Sequence, residues 1–371
     1  MPFNLLFGLV LACFPGSVLA WDGLGHRAIS EAVQASLDPA TVKALARIAG
    51  TGDELPSGSL ARLSMWPDEI RPLVNNPHTI VSGFAPAQLL EAQAFVAAHP
   101  DSKNWHFVDL PLGAVHYPNI LHSDPADPAL PFTAPNDVVH MVHRCIDILE
   151  RDTETPDFTK LQALRWLLHL VEDLHQPLHV VSGYYRTTED SLPRPEIITD
   201  PSTALQVDAK NDRGGNLLLF KEEAECPTKP THENLHAMWD DCLVDFVAGP
   251  ARCVTHTTDH QVERLAAWLI KQMGRQDSHA YRSTGEYHQW PEEWATDSLQ
   301  MAADRVFTFE LVDGCVISSS QRQPRPLHVQ SRILSPPSKE QYLHDHKYDA
   351  EIQLTKAAVR LGALLQQIQW K

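Results

Sequence analysis

Residues 161–176 read LQALRWLLHLVEDLHQ, and PLH follows at 177–179. Apolar residues recur there at helical spacing. Pro177 predicts that the helix ends at Gln176, because proline lacks an N–H and biases the residue before it away from helical angles. On such a helix each residue advances about 100°, so His169 and Asp173, four apart, lie within about 40° of each other. His175 sits about 140° from the midpoint of that pair and points elsewhere. His179 lies past the proline, where a turn would carry it back toward Asp173. An imidazole and a carboxylate on one helix face can both reach a single divalent ion. The same pair also occurs as plain hydrogen-bond partners on helices.

Working outward, NLHAMWDD at 234–241 repeats the spacing with His236 and Asp240. Two such pairs in one chain, with His179 besides, favour the metal reading. Three other fragments carry unusual local chemistry. WDGLGH at 21–26 offers His26 behind glycines that would let it fold back toward Trp21, which could equally be a surface anchor. WPDEIR at 66–71 sets Asp68 three residues from Arg71; Asp68 could also be an acid placed at a helix N-terminus by the dipole. NWHFVDLP at 104–111 sets His106 among aromatics, where it could be a core histidine.

Most of the remaining pattern is helical. NDVVHMVHRCIDILERD, capped by Asn136, puts Val139, Val142, Ile146 and Leu149 on one face, and EWATDSLQMAADRVFTF and YDAEIQLTKAAVRLGALLQQI add two helices. LLLF at 217–220 is the best strand. The stretches 118–137 and 182–203 are rich in proline or polar residues, and both fall between chemically interesting residues, so they read as loops and not as domain linkers. The expectation is one all-α domain over 21–371, a multi-helix fold with a short β-hairpin at most.

The 371 residues are 43% hydrophobic and 21% charged, ordinary for a globular chain with a sizeable core, and the formal net charge of −17 argues against a generic phosphate-binding surface. Residues 1–20 carry no charged side chain, hold a short apolar run from Leu5 to Phe14, and end in VLA before Trp21. They read as a secretory signal peptide cut after Ala20; a lipoprotein cut before Cys13 is the alternative. No later run is apolar and long enough to span a membrane. The protein is therefore expected to be secreted or periplasmic; a monomer is a separate expectation. Cys145, Cys226, Cys242, Cys253 and Cys315 then remain, which allows at most two disulfides in unspecified pairing.

The fragments W-x-x-x-x-H, W-x-D-x-x-R, H-F-x-D, H-x-x-x-D-x-x-Q-P-L-H, G-G-N and N-L-H-x-x-W-D follow one another in the order found in a known family. The chain resembles the secreted trinuclear-zinc type I nucleases, single-strand-specific endonucleases and 3′-nucleotidases of the mung bean nuclease type, whose fold is shared with the zinc-dependent phospholipases C. The resemblance runs from Trp21 to the last helix. It implies three zinc ions: one on Asp68, His106, His169 and Asp173; a second on the amine and carbonyl of Trp21, on His26 and on the bridging Asp173; a third on His179, His236 and Asp240. His175 matches a position that is not a ligand. The resemblance implies catalytic roles for Asp68 and Asp173, hydroxide shared by the close zinc pair as nucleophile, and Arg71 as the cation on the phosphoryl oxygens, where a plain salt bridge is the alternative. It also implies that Phe107 stacks on a nucleobase, Asp109 bonds its edge and Asn216 lines the same pocket; from the residues alone, Asn216 fits a tight turn equally well.

The activity so implied is hydrolysis of single-stranded DNA and RNA to 5′-nucleotides, with 3′-nucleotidase activity. The excess of acid favours oligonucleotides and 3′-nucleotides over long nucleic acid. A zinc phospholipase C and a non-catalytic zinc-binding protein are the alternatives. Fifty-six residues (180–235) separate His179 from His236, more than the family's usual spacing. Tyr184, Tyr185 and Arg186 in that excess are either a second base-stacking surface or part of a tolerated insertion.

Overall fold

A computed structural model describes residues 21–120, 124–151, 154–185, 197–207, 209–220, 234–249, 257–318, 328–335 and 339–371. The first helices are α1 (Gly23–Ser36), α2 (Pro39–Ile48), α3 (Ser59–Asn75), α4 (Pro86–Ala98), α5 (Val138–Arg151) and α6 (Lys160–Asp173). After them come α7 (Pro201–Gln206), α8 (Leu235–Ala237), α9 (Leu243–Ala248), α10 (Asp259–Met273), α11 (Trp290–Met301) and α12 (Lys339–Gln367). The fold is all-α, as expected. The proposed leader at 1–20 and Arg186 lie outside the described residues.

The α6 helix is the axis of the molecule. Every residue from Gln162 to Asp173 is buried, polar ones included, which suits a helix enclosed by others. α1, α3, α5 and α12 pack around it. Thr159 and Gln162 start it by a reciprocal cap: the Thr159 hydroxyl accepts from Gln162 N–H, and the Gln162 amide oxygen accepts from Thr159 N–H. Buried Arg165 is matched by Glu91 at 2.6 Å and lies over the Trp66 ring. Beside it, Trp66, Phe95, Trp105, Phe158 and Trp166 pack with ring centroids 4.8–6.0 Å apart.

Two boundaries differ from expectation. The regular part of α6 stops at Asp173, three residues before Gln176, because the chain tightens ahead of Pro177: His175 N–H bonds Glu172 O and Gln176 N–H bonds Asp173 O. The cap of α5 is Asp137, whose carboxylate takes the N–H groups of Val139 and His140, while the Asn136 amide turns to Asp101.

Strands are few and small. β1 (Leu110–Pro111) runs parallel to β2 (Val181–Ser182), and β3 (Tyr184–Tyr185) lies between β4 (Ile197–Ile198) and β5 (Lys210–Asn211). β6 (Leu218–Phe220) falls within the expected LLLF strand and pairs in parallel with β8 (His328–Ser335), which also pairs with β7 (Glu310–Ser318) as an antiparallel hairpin. The hairpin is longer than the short one anticipated, and the two-stranded β1–β2 sheet and the β3–β4–β5 sheet add to it.

Candidate metal centre

Five of the expected ligands converge where α1, α3 and α6 meet the segment before β1. Asp173 is the hub: one oxygen lies 3.3 Å from His26 Nε2, and the other lies 3.0 Å from His106 Nδ1 and 3.2 Å from His169 Nε2. Asp68 Oδ1 is 3.7 Å from His169 Nε2 and 4.0 Å from His106 Nδ1. Asp68 stands in the middle of α3, so a helix-terminal role for its charge is excluded. His106 is no ordinary core histidine, since its ring faces two carboxylates. A second group gathers beyond Pro177, where His236 Nε2 is 3.2 Å from Asp240 Oδ2 and His179 Nε2 is 3.9 Å from Asp240 Oδ1. The His179 and His236 rings stack at 5.0 Å.

The outer ring nitrogens settle which way these imidazoles present their lone pairs. Nδ1 of His169 donates to Ser64 O, that of His179 to His106 O, and that of His236 to Gly214 O, at 2.7–2.8 Å. A carbonyl only accepts, so each Nδ1 carries the hydrogen and each Nε2 offers a lone pair inward. His26 Nδ1 meets the buried Glu172 carboxylate at 2.5 Å in the same outer position. Glu172 is in turn held by the Ser30 hydroxyl at 2.6 Å. Gln176 plays the matching part for Asp240, to which its amide donates at 2.6 Å.

The inner atoms fit cations and little else. His26 Nε2, both Asp68 oxygens, Asp173 Oδ1, His179 Nε2 and Asp240 Oδ2 are buried without a hydrogen-bond partner, a costly state for polar atoms that a shared ion removes. His26, Asp68 and His169, then His106, His169 and Asp173, then His179, His236 and Asp240 each form a buried group able to hold a metal ion. Burial alone would raise the Asp173 carboxyl, yet His169, His106 and His26 hold it well below the carboxylate range. Burial would likewise lower His26, and Asp173 and Glu172 keep it well above the usual imidazole value. Mixed imidazole and carboxylate donors without a thiolate suit divalent metals such as zinc, manganese or iron.

Trp21 is fully buried beside this group. Its indole N–H donates to Glu172 O at 2.9 Å, so it is no surface anchor. The glycines after it are not a flexible tether. α1 already begins at Gly23, capped by the Asp22 carboxylate, and a Cβ on Gly25 would come within 2.8 Å of the Trp21 Cβ. Gly25 thus admits the tryptophan, and the first turn of the helix aims His26.

His175 is excluded, as the helix geometry requires. It is buried on the far side, Nδ1 donating to Val171 O at 2.7 Å and Nε2 receiving Arg360 at 3.2 Å.

The second group opens onto a cleft of 610 Å³ whose walls include Arg71, Phe107, Asp109, Asn216, His179 and His236. Phe107 and Asp109 are partly exposed there. The Asn216 amide donates to Arg213 O at 2.8 Å, so it both closes the turn and lines the cleft. Tyr184 and Tyr185 form no stacking surface: both are buried, with hydroxyls spent on Asp109 O at 2.8 Å and the Asp212 carboxylate at 3.1 Å. They brace the cleft from behind. Sequence reading missed Glu172, Ser64, Gln176 and the Gly214 carbonyl. Only Glu172 and Gln176 left a trace, as polar residues close to Asp173 in the sequence.

Buried histidines and aspartates brought by helices and turns to adjoining cation sites, beside a cleft with an arginine and a partly exposed aromatic ring, define a candidate multi-metal centre. The chain belongs to the S1/P1 nuclease family, whose model matches residues 21–369. A curated relative, "Endonuclease 3" of Arabidopsis thaliana, is 23% identical over 240 residues, 64% of this chain and 59% of the relative. The match thus spans less than two thirds of that relative's length. Among the described residues no helix is long and apolar enough to cross a membrane.

Proposed function

We propose that the protein is an exported, monomeric, zinc-dependent single-strand nuclease with 3′-nucleotidase activity, in which residues 1–20 are a leader and 21–371 a single catalytic domain. One observation carries the reading: the inner His26, Asp68, Asp173, His179 and Asp240 atoms are buried and unpartnered, and His106, His179 and His236 of the same groups line the cleft that holds Arg71, Phe107 and Asp109. Asp68, His106, His169 and Asp173 would hold one zinc, Asp173, His26 and the Trp21 terminus a second, and His179, His236 and Asp240 a third. Zinc bound there supplies Lewis acidity and a nucleophile at near-neutral pH.

The chain's own residues do the rest. Arg71, whose charge is felt by both His106 and His236, would bind the non-bridging oxygens of the scissile phosphate and stabilise their growing charge. The Phe107 face would stack on a base and the Asp109 carboxylate would accept from its edge. Burial raises that carboxyl, while bonds from Ser182 and Asn211 oppose the rise. Stacking of this kind needs a base out of the duplex, which favours single strands. Glu172 and the Ser64, His106 and Gly214 carbonyls fix the rings, and Gln176 fixes Asp240.

The test is release of acid-soluble nucleotides from single- and double-stranded DNA and RNA, before and after chelation and zinc return. Chelatable activity confined to single strands is expected. Hydrolysis of a phosphatidylcholine dispersion with no release from single-stranded DNA would favour a phospholipase instead, and bound zinc with no turnover of either substrate would favour a binding protein.

A further inference from the structure

The chain has 47 acidic and 30 basic residues, and among the described residues Arg27, Lys43, Arg165, Arg305, Lys356 and Arg360 are ion-paired. Lys103 and Arg213 are set apart by their place. Both side chains are exposed, both line the cleft that carries Phe107 and Asp109, and neither makes an ion pair among the described residues. They arrive from different parts of the chain, Lys103 from the 3₁₀ turn Ser102–Asn104 and Arg213 from the loop between β5 and β6.

Arg213 is also the one non-glycine residue with positive φ among the described residues, at 57°, followed by Gly214 at 60° and Gly215 at 79°. Such a conformation strains a side chain with a Cβ, and glycine or asparagine would fill the turn more easily. The turn itself is demanded by the metal centre, since Gly214 O holds His236 Nδ1 and a Cβ on Gly214 would collide with Leu178 O. An arginine placed at the head of that turn points to use of its charge. The cleft therefore carries three cationic side chains, Arg71, Lys103 and Arg213, beside Phe107 and Asp109.

We propose that Lys103 and Arg213 form a second phosphate station in the cleft, for a phosphate adjacent to the scissile one, so that the protein favours single-stranded oligonucleotides over mononucleotides. This rests on the nuclease reading. The station would also explain how an acidic chain retains a polyanion, since the attraction is confined to the cleft.

The test is equilibrium binding to the zinc-loaded full mature chain, with a phosphorothioate-linked single-stranded tetranucleotide and a 5′-mononucleotide, which the proposed activity leaves intact, as probes over a range of salt. Lys103→Ala changes an exposed side chain, and Arg213→Gly suits the positive φ, so both variants should fold; equal zinc content checks this. The double variant should bind the tetranucleotide about tenfold or more weakly, with the slope of log affinity against log salt reduced by about 0.7 for each lost contact. Mononucleotide binding should stay within about twofold. If both probes weaken equally, or neither does, the station is wrong and the nuclease reading stands. A wild-type protein that binds no tetranucleotide overturns both.

Discussion

Asp173 and Asp240 are both fully buried and both follow a histidine by four residues, yet the backbone that carries them differs. Asp173 closes the enclosed helix α6, and its partners His26, Asp68 and His169 also project from helices, with His106 alone coming from the segment before β1. Asp240 sits in the π turn Met238–Cys242 between α8 and α9, and its partners come from a 3₁₀ turn at Pro177–His179 and the three-residue α8. Helices of the core fix ligands more tightly than turns do, and π turns recur where function distorts a helix. The comparison assigns the rigid half to the paired site and the yielding half to the site that meets substrate in the cleft.

The largest expected effect tests the hub. Asp173→Ala should deplete the paired site and reduce nuclease activity on the order of a thousandfold or more, whereas Asp240→Ala should remove a single ion and leave the paired site loaded. Metal analysis beside kinetics checks this, and equal depletion by both changes would erase the distinction. Chelation should sharpen the same contrast: a dilute chelator should strip the His179, His236 and Asp240 site first, giving a biphasic loss of metal, where one phase would mean the two halves are equally held. Removing an orienting group should cost less. Glu172→Gln should weaken zinc at the His26 site by about 10- to 100-fold and Gln176→Ala should do the same at the Asp240 site, read by competitive zinc titration.

The smallest effect lies behind both halves, where Asp297 pairs with Lys356 at 2.7 Å and Arg360 at 2.8 Å. Burial would raise the Asp297 carboxyl, but Arg360 and Lys356 hold it below its ordinary value of 3.8. A carboxyl lowered on folding stabilises above that ordinary value, and the benefit fades as pH falls through the lower folded one. Asp297→Asn should therefore cost about 2 kcal/mol at pH 7, since the pair is only partly shielded, and the gap from wild type should stay open down to about pH 4 and shrink only as pH falls further, through the lowered folded value. Denaturant melts from pH 7 down through that range decide it, and a gap that stays constant would show that packing rather than charge is lost.

The ligands were legible because helical periodicity is encoded in spacing: His169 with Asp173 and His236 with Asp240 declare themselves, and the same arithmetic removes His175. The supports were not legible. Glu172 reaches His26 across 146 residues, and Ser64, His106 and Gly214 contribute backbone carbonyls, which no side-chain pattern reveals. Helix α6 was read correctly in kind and too long at its end, because Pro177 acts on the residues before it through a tightened turn that a boundary rule does not resolve. The excess between His179 and His236 left two readings open, and burial of Tyr184 and Tyr185 decides against stacking by them.

The central claim is that three metal ions sit in one centre completed by the chain terminus at Trp21. The direct measurement is the zinc content and single-strand nuclease activity of protein beginning at Trp21, beside protein carrying two additional residues ahead of it. The account predicts three zinc ions per chain in the first, and in the second the loss of the ion shared with His26 together with most of the activity. An unchanged zinc count and rate in the two preparations would contradict it.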